Sequence, residues 1–197
     1  MITLALLWIA WCCLHSLLIS SPVNQWIRRR GGAWQGGHRL AYVLFSIFSL
    51  LPILWYQFTL PQETLFAWHG PWRIIQALLL AYALVMFAGG KRVYAMDSFL
   101  GIRQWRDYRR GRPPEDIPFR TDGILRWVRH PWYSGGLALL WAVGPVTDVT
   151  LVSRAILSLY LVIGTLLEER KLRHRIGPAY ADYCRRVPML FPRKRWR

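Results

Sequence analysis

The sequence predicts an all-α, polytopic helical membrane protein with about five transmembrane helices, the last two forming a hairpin, and a cytoplasmic C-terminal helical cap. Three observations predict this fold class. Of the 197 residues, 54% are hydrophobic and 12 are tryptophan. The apolar residues form long uncharged blocks, whereas the helices of a soluble protein carry polar faces. Lysine and arginine are concentrated between particular blocks.

Four apolar blocks supply the predicted spans, at residues 2–20, 40–60, 74–90 and 132–167. A helix of about 20 residues crosses a hydrocarbon core of about 30 Å, so each of the first three blocks predicts one crossing. The last block contains a short turn between Asp148 and Arg154 and predicts a tight hairpin with short halves. The first block has no basic region before it and no small-residue cleavage site after it, which favours a retained helix over a signal peptide.

The distribution of positive charge predicts the orientation. Lysine and arginine total 26 against 10 acidic residues, a formal net charge of +16. Basic residues lie at 28–39, 91–129 and 170–197, whereas 61–72 contains Glu63 and no lysine or arginine. Because short basic loops stay in the cytoplasm, we predict five crossings with the amino terminus outside and the carboxyl terminus inside.

The positive charge does not indicate nucleic-acid binding. Topology and attraction to anionic lipid headgroups explain it, and no nucleic-acid motif is present in the sequence. We therefore expect membrane lipid as a partner, with neither nucleic acid nor an obligate protein partner. Cys12 and Cys13 lie in the first block and Cys184 lies in the basic tail, a pattern that predicts neither a disulfide framework nor a metal site.

Two polar clusters at block ends are candidate sites, because ionisable groups are costly at a membrane boundary. The first is RHPWYSGG at 129–136, where Pro131 fits the first position of a helix and the glycines permit close approach. A helix start also suits a bound carboxylate. The second is EERKL at 168–172. Taken alone, its two glutamates fit a surface ion pair as well as a ligand site, and Arg129 fits a topology anchor.

A short amphipathic helix is predicted at 179–186, after the helix-breaking Gly177. Tyr180 and Tyr183 lie on one of its faces. The helix ends at Val187, because the residue before a proline tends to leave the helical region. This spacing fits a helix lying on the lipid surface as well as a cap over a site.

In order and in spacing, these strings resemble the isoprenylcysteine carboxyl methyltransferase family and its bacterial relatives. The motifs are FRTDG at 119–123, RHPxYxG at 129–135, EExxL at 168–172 and GxxYxxYxxxVP at 177–188. The match covers about residues 119–192. LHS at 14–16 and FLGIRQ at 99–104 are similar to the bacterial branch that includes methanethiol S-methyltransferases and NnrU-type proteins.

The resemblance implies one membrane-embedded methyltransferase domain over 1–197. Its N-terminal three-helix part and cytoplasmic loop cover 1–118, and its cofactor-binding core covers 119–192. S-adenosylmethionine would lie between the last hairpin and the C-terminal segment, without a Rossmann sheet. The implied acceptor is lipophilic or a small thiol or carboxylate, met at the cytoplasmic side of a bacterial inner membrane.

The resemblance also implies the site residues. Those that would bind the cofactor are Arg129, His130, Pro131, Tyr133, Gly135, Glu168, Glu169, Leu172, Tyr180 and Tyr183. Those that would act in catalysis are Arg186, Glu169 and Arg129. A thiolate or carboxylate acceptor needs a cation, which Arg186 or Arg129 would supply. The motifs near residues 130, 169 and 186 are therefore expected to converge in one chamber.

Two alternatives belong to other classes. His15 and His130 would ligate a haem if they shared one leaflet, as in the haem-binding zeta-carotene isomerases, which also carry an early His-Ser pair and an RHP-type histidine. The glutamate pair and the tyrosine-rich tail are not features that a haem pocket requires. His15 also fits a histidine hydrogen-bonded between helices. The other alternative is a membrane adaptor without enzymatic activity.

Overall fold

The computed structural model describes residues 1–32, 34–113 and 118–193. The helices and strands are, in chain order, α1 (Ile2–Leu18), α2 (Ser21–Arg30), α3 (Trp34–Thr59), β1 (Thr64–Phe66), α4 (Trp72–Val93), α5 (Met96–Leu100), α6 (Ile102–Arg109), α7 (Pro131–Ala142), β2 (Val146–Thr147), α8 (Asp148–Ile176) and α9 (Pro178–Arg186). A 3₁₀ turn at Gly123–Arg126 precedes α7. The chain is therefore predominantly helical, and its two short strands form one antiparallel pair.

Among the described residues, three helices are long and apolar enough to cross a membrane, namely Gly36–Thr59, Trp72–Val93 and Asp148–Ile176. The chain is thus a polytopic helical membrane protein, which confirms the predicted class. The expected five spans are not confirmed. The α1 helix has 17 residues and α7 has 12; at about 1.5 Å per residue, both are shorter than a hydrocarbon core of about 30 Å.

The described contacts divide the chain into two compact units. One unit comprises Met1–Pro61 and Ala95–Ile117, and holds α1, α2, α3, α5 and α6. The other comprises Gln62–Tyr94 and Pro118–Arg197, and holds α4, α7, α8 and α9. We call them the N-terminal unit and the C-terminal unit. The predicted single functional domain, with its cofactor core at 119–192, stays a prediction.

Polar side chains join α1 to α3 within the N-terminal unit. The Nε1 of Trp11 donates to the Ser49 hydroxyl at 3.1 Å. The Tyr42 hydroxyl lies 2.7 Å from Nε2 of His15. Hydrogen bonds of this kind join helices in apolar surroundings, where the hydrophobic effect contributes little to helix association. This pairing agrees with the interpretation of His15 as a histidine bonded between helices.

Glycines allow α4 and α7 to approach closely within the C-terminal unit. A Cβ at Gly90 would collide with the indole Nε1 of Trp132, and one at Gly135 would lie 3.0 Å from Cβ of Met86. Trp132 also donates to the Phe87 carbonyl at 3.3 Å. Small residues at such crossings let helix backbones approach closely, which holds α7 against α4.

The α7 and α8 helices form the predicted hairpin, but with unequal arms of 12 and 29 residues. The turn predicted between Asp148 and Arg154 was wrong, because α8 begins at Asp148 and the connection lies at 143–147. Thr147 caps α8 through a reciprocal pair of bonds with Thr150. Arg154 is buried, and its Nη2 donates to the carbonyls of Val143 at 2.5 Å and Pro145 at 2.9 Å. The carbonyls at the end of α7 therefore find a partner on α8.

Candidate active site

The segment before α7 is paired with the C-terminal segment of the chain. The backbone N–H of Arg129 donates to the Pro188 carbonyl at 3.0 Å, and that of His130 donates to the Met189 carbonyl at 3.1 Å. Proline at position 131 then begins α7, where its missing N–H is harmless. Two motifs almost 60 residues apart in sequence are thereby held side by side.

Glu169 is the centre of this arrangement. Nε of Arg129 donates to its Oε1 and Nη2 donates to its Oε2, both at 2.8 Å. Nε2 of His130 and the hydroxyl of Tyr180 reach Oε1 at 2.8 and 2.7 Å. A carboxylate can only accept, so both groups donate to it. Three motifs that are separate in sequence therefore meet at one carboxylate. We call this group of residues the Glu169 network: Arg129, His130, Glu169 and Tyr180.

The ion pair in the Glu169 network is buried. The side chains of Arg129 and Glu169 are only 8% and 7% exposed. Burial alone would lower the pKa of Arg129, but the hydrogen bonds and charge of Glu169 outweigh it and raise that pKa. The remaining N–H groups of the guanidinium donate to the Cys184 carbonyl at 3.2 Å and to the Val187 carbonyl. A buried pair needs such additional bonds to offset its desolvation.

An aromatic cluster underlies the network. Tyr180 and Tyr183 pack with Val187 and Leu125, and the ring of Phe119 lies within 6 Å of both tyrosine rings. The Tyr183 hydroxyl donates to the Leu125 carbonyl at 2.6 Å. Burial raises the pKa of both tyrosines, and the neighbouring Glu169 raises that of Tyr180 further. The α9 helix is thus fixed to the core through both of its tyrosines.

Glu168 differs from its neighbour because its side chain is 43% exposed. Its Oε2 lies 4.0 Å from Nδ1 of His130. Burial, and then the charge of Glu168, raise the pKa of Tyr94. The Tyr94 ring in turn lies 5.1 Å from the ring of Trp132. Glu168 therefore presents an accessible carboxylate on the face beside the Glu169 network, and the half-buried rings of Tyr94 and Trp132 lie near it. The His130 imidazole, 4.0 Å from that carboxylate, is itself buried.

The start of α7 adjoins that face. His130 occupies the N-cap position, and no side-chain capping bond is present there among the described residues. The Tyr133 ring lies 5.8 Å from the His130 ring, edge to face. A helix start of this kind carries partial positive charge and suits an anionic group.

Most of the predicted site residues lie in or around the Glu169 network. The network itself contains four of them, and Tyr183 and Leu172 belong to the cluster beneath it. Glu168 lies on the accessible face described above, and the half-buried Tyr133 and the fully buried Pro131 lie at the start of α7. Their roles as ligands stay predictions.

Two predicted residues lie apart from the network. Gly135 is buried against Met86 and the Ala83 carbonyl, where it serves the α4–α7 crossing. Arg186 is exposed, and its Nε donates to the Asp182 carbonyl one turn back along α9 at 3.4 Å. Of the motifs expected to converge near residues 130, 169 and 186, the side chains of His130 and Glu169 do meet. The third motif contributes the backbone that follows Arg186, and the Arg186 side chain lies apart. The predicted catalytic role of Arg186 stays a prediction.

Sequence reasoning missed Tyr94 and Cys184. Cys184 is half-buried, with its Sγ 3.5 Å from Oε2 of Glu169. Its place inside the GxxYxxYxxxVP string was a usable signal. Burial raises the pKa of its thiol, so the thiol is protonated at neutral pH. Tyr94 follows the third apolar block by a few residues and carries no motif that would have marked it.

The haem alternative is not favoured. His15 is hydrogen-bonded to Tyr42, and Nε2 of His130 is occupied by Glu169. Each imidazole thus already has a partner in the described structure, and His130 is held by a buried carboxylate that haem ligation would displace.

Comparison with known proteins identifies a family and several relatives of this chain. The family model described as NnrU protein matches residues 3–190. A methanethiol S-methyltransferase of Pseudomonas deceptionensis is 31% identical over 185 residues, covering 90% of this chain and 67% of the relative. One from Pseudomonas sp. strain GM41(2012) is 31% identical over 160 residues, covering 79% and 60%. Nurim of Bos taurus is 25% identical over 178 residues, covering 81% and 63%.

The chain spans about three fifths of the length of several of these relatives, for example 60% of the Pseudomonas sp. enzyme. No solved structure matches it. The family match covers the RHP, glutamate-pair and Val-Pro segments together, and it confirms the resemblance to the bacterial branch of isoprenylcysteine carboxyl methyltransferase-like proteins. The chain belongs to the NnrU family.

Proposed function

We propose that this protein is an S-adenosylmethionine-dependent methyltransferase of the membrane, which methylates a small thiol or a lipophilic thiol or carboxylate at the cytoplasmic side. The observation that carries the proposal is the Glu169 network, which joins the three motif segments of the predicted cofactor core. The similarity to enzymes named methanethiol S-methyltransferase supports the same chemistry and makes methanethiol the first acceptor to test.

The groups around the network fit the cofactor. Glu168 is an accessible carboxylate for an ammonium or a ribose diol, and the positive end of α7 suits the amino-acid carboxylate. The rings of Tyr94 and Tyr133 offer apolar faces to an adenine. When bound, S-adenosylmethionine would supply an electrophilic methyl group on a sulfonium.

Glu169 and Arg129 act as positioning residues in this proposal. The hydrogen-bonding capacity of Glu169 is already used by Arg129, His130 and Tyr180, so it has little left for a ligand. Its task would be to orient His130 and to hold the C-terminal segment against α7. Precise positioning is worth about 7 to 11 kcal/mol in favourable cases, and methyl transfer from a sulfonium needs no dedicated acid.

Arg186 would serve an anionic acceptor. It is exposed and follows the tyrosines that fix α9. A guanidinium there would attract a thiolate or a carboxylate, and the buried Arg129 would not, because Glu169 neutralises it. This divides the two predicted cations into an accessible one and a structural one.

The topology remains part of the proposal. Five crossings, an outside amino terminus and an inside carboxyl terminus account for the positions of the basic segments. The bacterial source of the similar methanethiol S-methyltransferases supports a bacterial inner membrane as the proposed location. Reporter fusions after the last residue and within 61–72 would test it: activity of a cytoplasmic reporter is expected at the first position only, and activity at the second would overturn the orientation.

Binding of S-adenosylhomocysteine to the purified chain tests the cofactor assignment. Isothermal titration in a detergent that preserves the thermal transition should detect one site per chain. Glu168→Gln and His130→Ala should each weaken binding by tenfold or more, because the first removes the charge of the accessible carboxylate and the second removes the buried imidazole beside it. Glu63→Gln is the matched control, since this glutamate lies near the β1–β2 pair. No binding by folded wild-type protein would overturn the proposal.

Transfer of a radiolabelled methyl group tests the acceptor. Methanethiol and a membrane lipid extract are supplied separately, and volatile and lipid-extractable products are counted apart. Volatile label with methanethiol supports a small thiol acceptor, and label in the lipid fraction supports a lipophilic one. Arg186→Gln should raise the KM for an anionic acceptor while leaving S-adenosylhomocysteine affinity unchanged. Label in neither fraction, with cofactor bound, would overturn both acceptor classes.

A further inference from the structure

A second charged site lies in the N-terminal unit, on α5, α6 and the residues after them. It is a half-open cavity of about 270 Å³. The charged side chains that line it are Asp97, Arg103, Arg106, Asp107, Arg110 and Arg112. We call it the arginine cavity. Nothing in the proposed methyl transfer uses it.

Arginines outnumber aspartates four to two in this lining, so the cavity keeps a net positive charge. Nη2 of Arg106 lies 3.0 Å from Oδ2 of Asp97, and Nε of Arg103 lies 3.7 Å from Oδ2 of Asp107. The Arg106–Asp97 pair is exposed, with 46% and 40% of the side chains accessible. Exposed pairs of this kind are weak and exchange readily with other ions.

The arginine cavity lies at one end of a candidate span. The α6 helix packs on the first turn of Gly36–Thr59: a Cβ at Gly36 would collide with Tyr108, and one at Gly37 would lie 3.3 Å from the Trp105 ring. The start of a membrane-crossing helix is where lipid headgroups are found, and Trp105 is the residue type enriched at that level.

Apolar side chains are exposed on the same two helices. Phe99 and Ile102 are 45% and 44% accessible. Nε of Arg39, in the first turn of the span, donates to the Phe99 carbonyl at 2.9 Å and so fixes α5 to α3. Arginines beside exposed apolar side chains are typical of helices that lie in the membrane interface.

We propose that the arginine cavity binds the phosphodiester headgroup of an anionic phospholipid. Guanidinium groups recognise phosphate oxygens with paired hydrogen bonds, and basic pockets beside membrane-crossing helices bind anionic headgroups. The exposed Phe99 and Ile102 favour a lipid over free phosphate, because they offer contact to the acyl boundary that an inorganic ion cannot use.

Native mass spectrometry of the full chain in a nonionic detergent tests this site. The protein is titrated in parallel with dioleoyl phosphatidylglycerol, dioleoyl phosphatidylcholine and inorganic phosphate. Phosphatidylglycerol should bind at least tenfold more tightly than phosphatidylcholine, and phosphate at equal concentration should not displace it. Equal affinity for the two lipids would overturn the proposal, and effective displacement by phosphate would overturn the assignment to lipid.

Removing the arginines should weaken binding. Arg110→Gln and Arg112→Gln are expected to lower the affinity for phosphatidylglycerol by about fivefold for each charge removed. The matched control is Arg109→Gln with Arg126→Gln, two exposed arginines outside the cavity lining. Equal losses in the cavity variant and in the control would mean that only overall charge matters, which would overturn a defined site.

Asp97→Asn separates binding from folding defects, because it should strengthen the interaction. It removes a negative charge from the lining and releases Arg106 from its ion pair, while the amide oxygen can still accept from the Ser98 N–H. Affinity for phosphatidylglycerol should rise by about fivefold. Unchanged or weaker binding of this variant would count against the site. Each of these outcomes is independent of methyl transfer.

Discussion

The Glu169 network and the arginine cavity both pair arginine with carboxylate, but they differ in access to water. The side chains of Arg129 and Glu169 are 8% and 7% exposed, whereas those of Arg106 and Asp97 are 46% and 40% exposed. Burial makes the first pair costly to break, because either partner alone would be an isolated buried charge. Exposure makes the second pair replaceable by a ligand. Arginine–carboxylate pairs thus hold chain segments in position in the Glu169 network, and they are available to bind a ligand in the arginine cavity.

The difference extends to the neighbouring bonds. Arg129 also donates to two backbone carbonyls of the C-terminal segment, so the buried pair ties three parts of the chain together. The pair between Arg106 and Asp97 joins α5 to α6 only, two neighbouring short helices. Stability should therefore depend strongly on the first pair and weakly on the second.

The largest expected effect comes from Glu169→Ala. It leaves Arg129 buried without its counter-charge and should lower the free energy of unfolding by about 3 to 5 kcal/mol. Thermal unfolding in detergent, followed by tryptophan fluorescence, measures the change. Asp97→Asn is the matched control, and its effect should stay within about 1 kcal/mol. Comparable losses in the two variants would remove the distinction between the regions.

Arg154→Met should give the next largest loss. Arg154 is buried without a carboxylate partner in the described structure and donates instead to carbonyls at the end of α7. Removing it leaves those carbonyls without this donor, which should cost about 2 to 3 kcal/mol. Thermal unfolding again measures the loss. Arg154→Lys should recover only part of it, because one ammonium cannot match the guanidinium fork; full recovery would show that charge alone matters.

Tyr180→Phe tests a neutral member of the Glu169 network. Loss of its hydrogen bond to Glu169 should lower the free energy of unfolding by about 1 to 2 kcal/mol. The reference variant is Tyr183→Phe, which loses a bond to the Leu125 carbonyl instead. Because Tyr180 serves a charged acceptor, its variant should lose more. An equal or larger loss in Tyr183→Phe would contradict the central place given to Glu169.

The pH dependence of the same variants supplies a second measurement. Burial raises the pKa of Tyr180 and Tyr183 in the folded chain above the ordinary value of about 10. Above pH 10 the unfolded chain therefore loses tyrosine protons that the folded chain retains. Stability should fall with rising pH by about 1.4 kcal/mol per unit for each tyrosine. Either phenylalanine variant should reduce that slope, and an unchanged slope would contradict the folded-state shift.

Much of the architecture followed from hydrophobicity and charge. The blocks at 40–60 and 74–90 became α3 and α4, and the helix predicted at 179–186 became Pro178–Arg186. These succeeded because apolar length and helix-breaking residues act locally. The extra length of α8 was not predicted, since its polar end at 168–176 is helical although it has left the apolar block.

The sequence predicted which residues form the site better than it predicted their contacts and exposure. The motif strings identified Arg129, His130 and Glu169, but nothing in their spacing indicates that Glu169 is saturated by bonds while Glu168 stays accessible. Adjacent residues on a helix point in different directions, and their surroundings come from elements far away in sequence. The short helices α5 and α6 were missed for a related reason, because α5 has only five residues and the arginine-rich sequence of α6 resembles a loop until its contacts are known.

The smallest expected effect belongs to Arg120→Gln. Arg120 and Asp122 are joined by two hydrogen bonds, at 2.9 and 2.6 Å, and Asp122 has a lowered pKa, first because of those bonds. This geometry matches that of the Arg129–Glu169 pair, but the side chains are 44% and 49% exposed. Water and salt can replace each partner, so unfolding of the variant should be indistinguishable from wild type in 0.15 M salt. Because bond geometry is matched and burial is not, a loss as large as that of Glu169→Ala would mean that geometry, and not burial, sets the strength of these pairs.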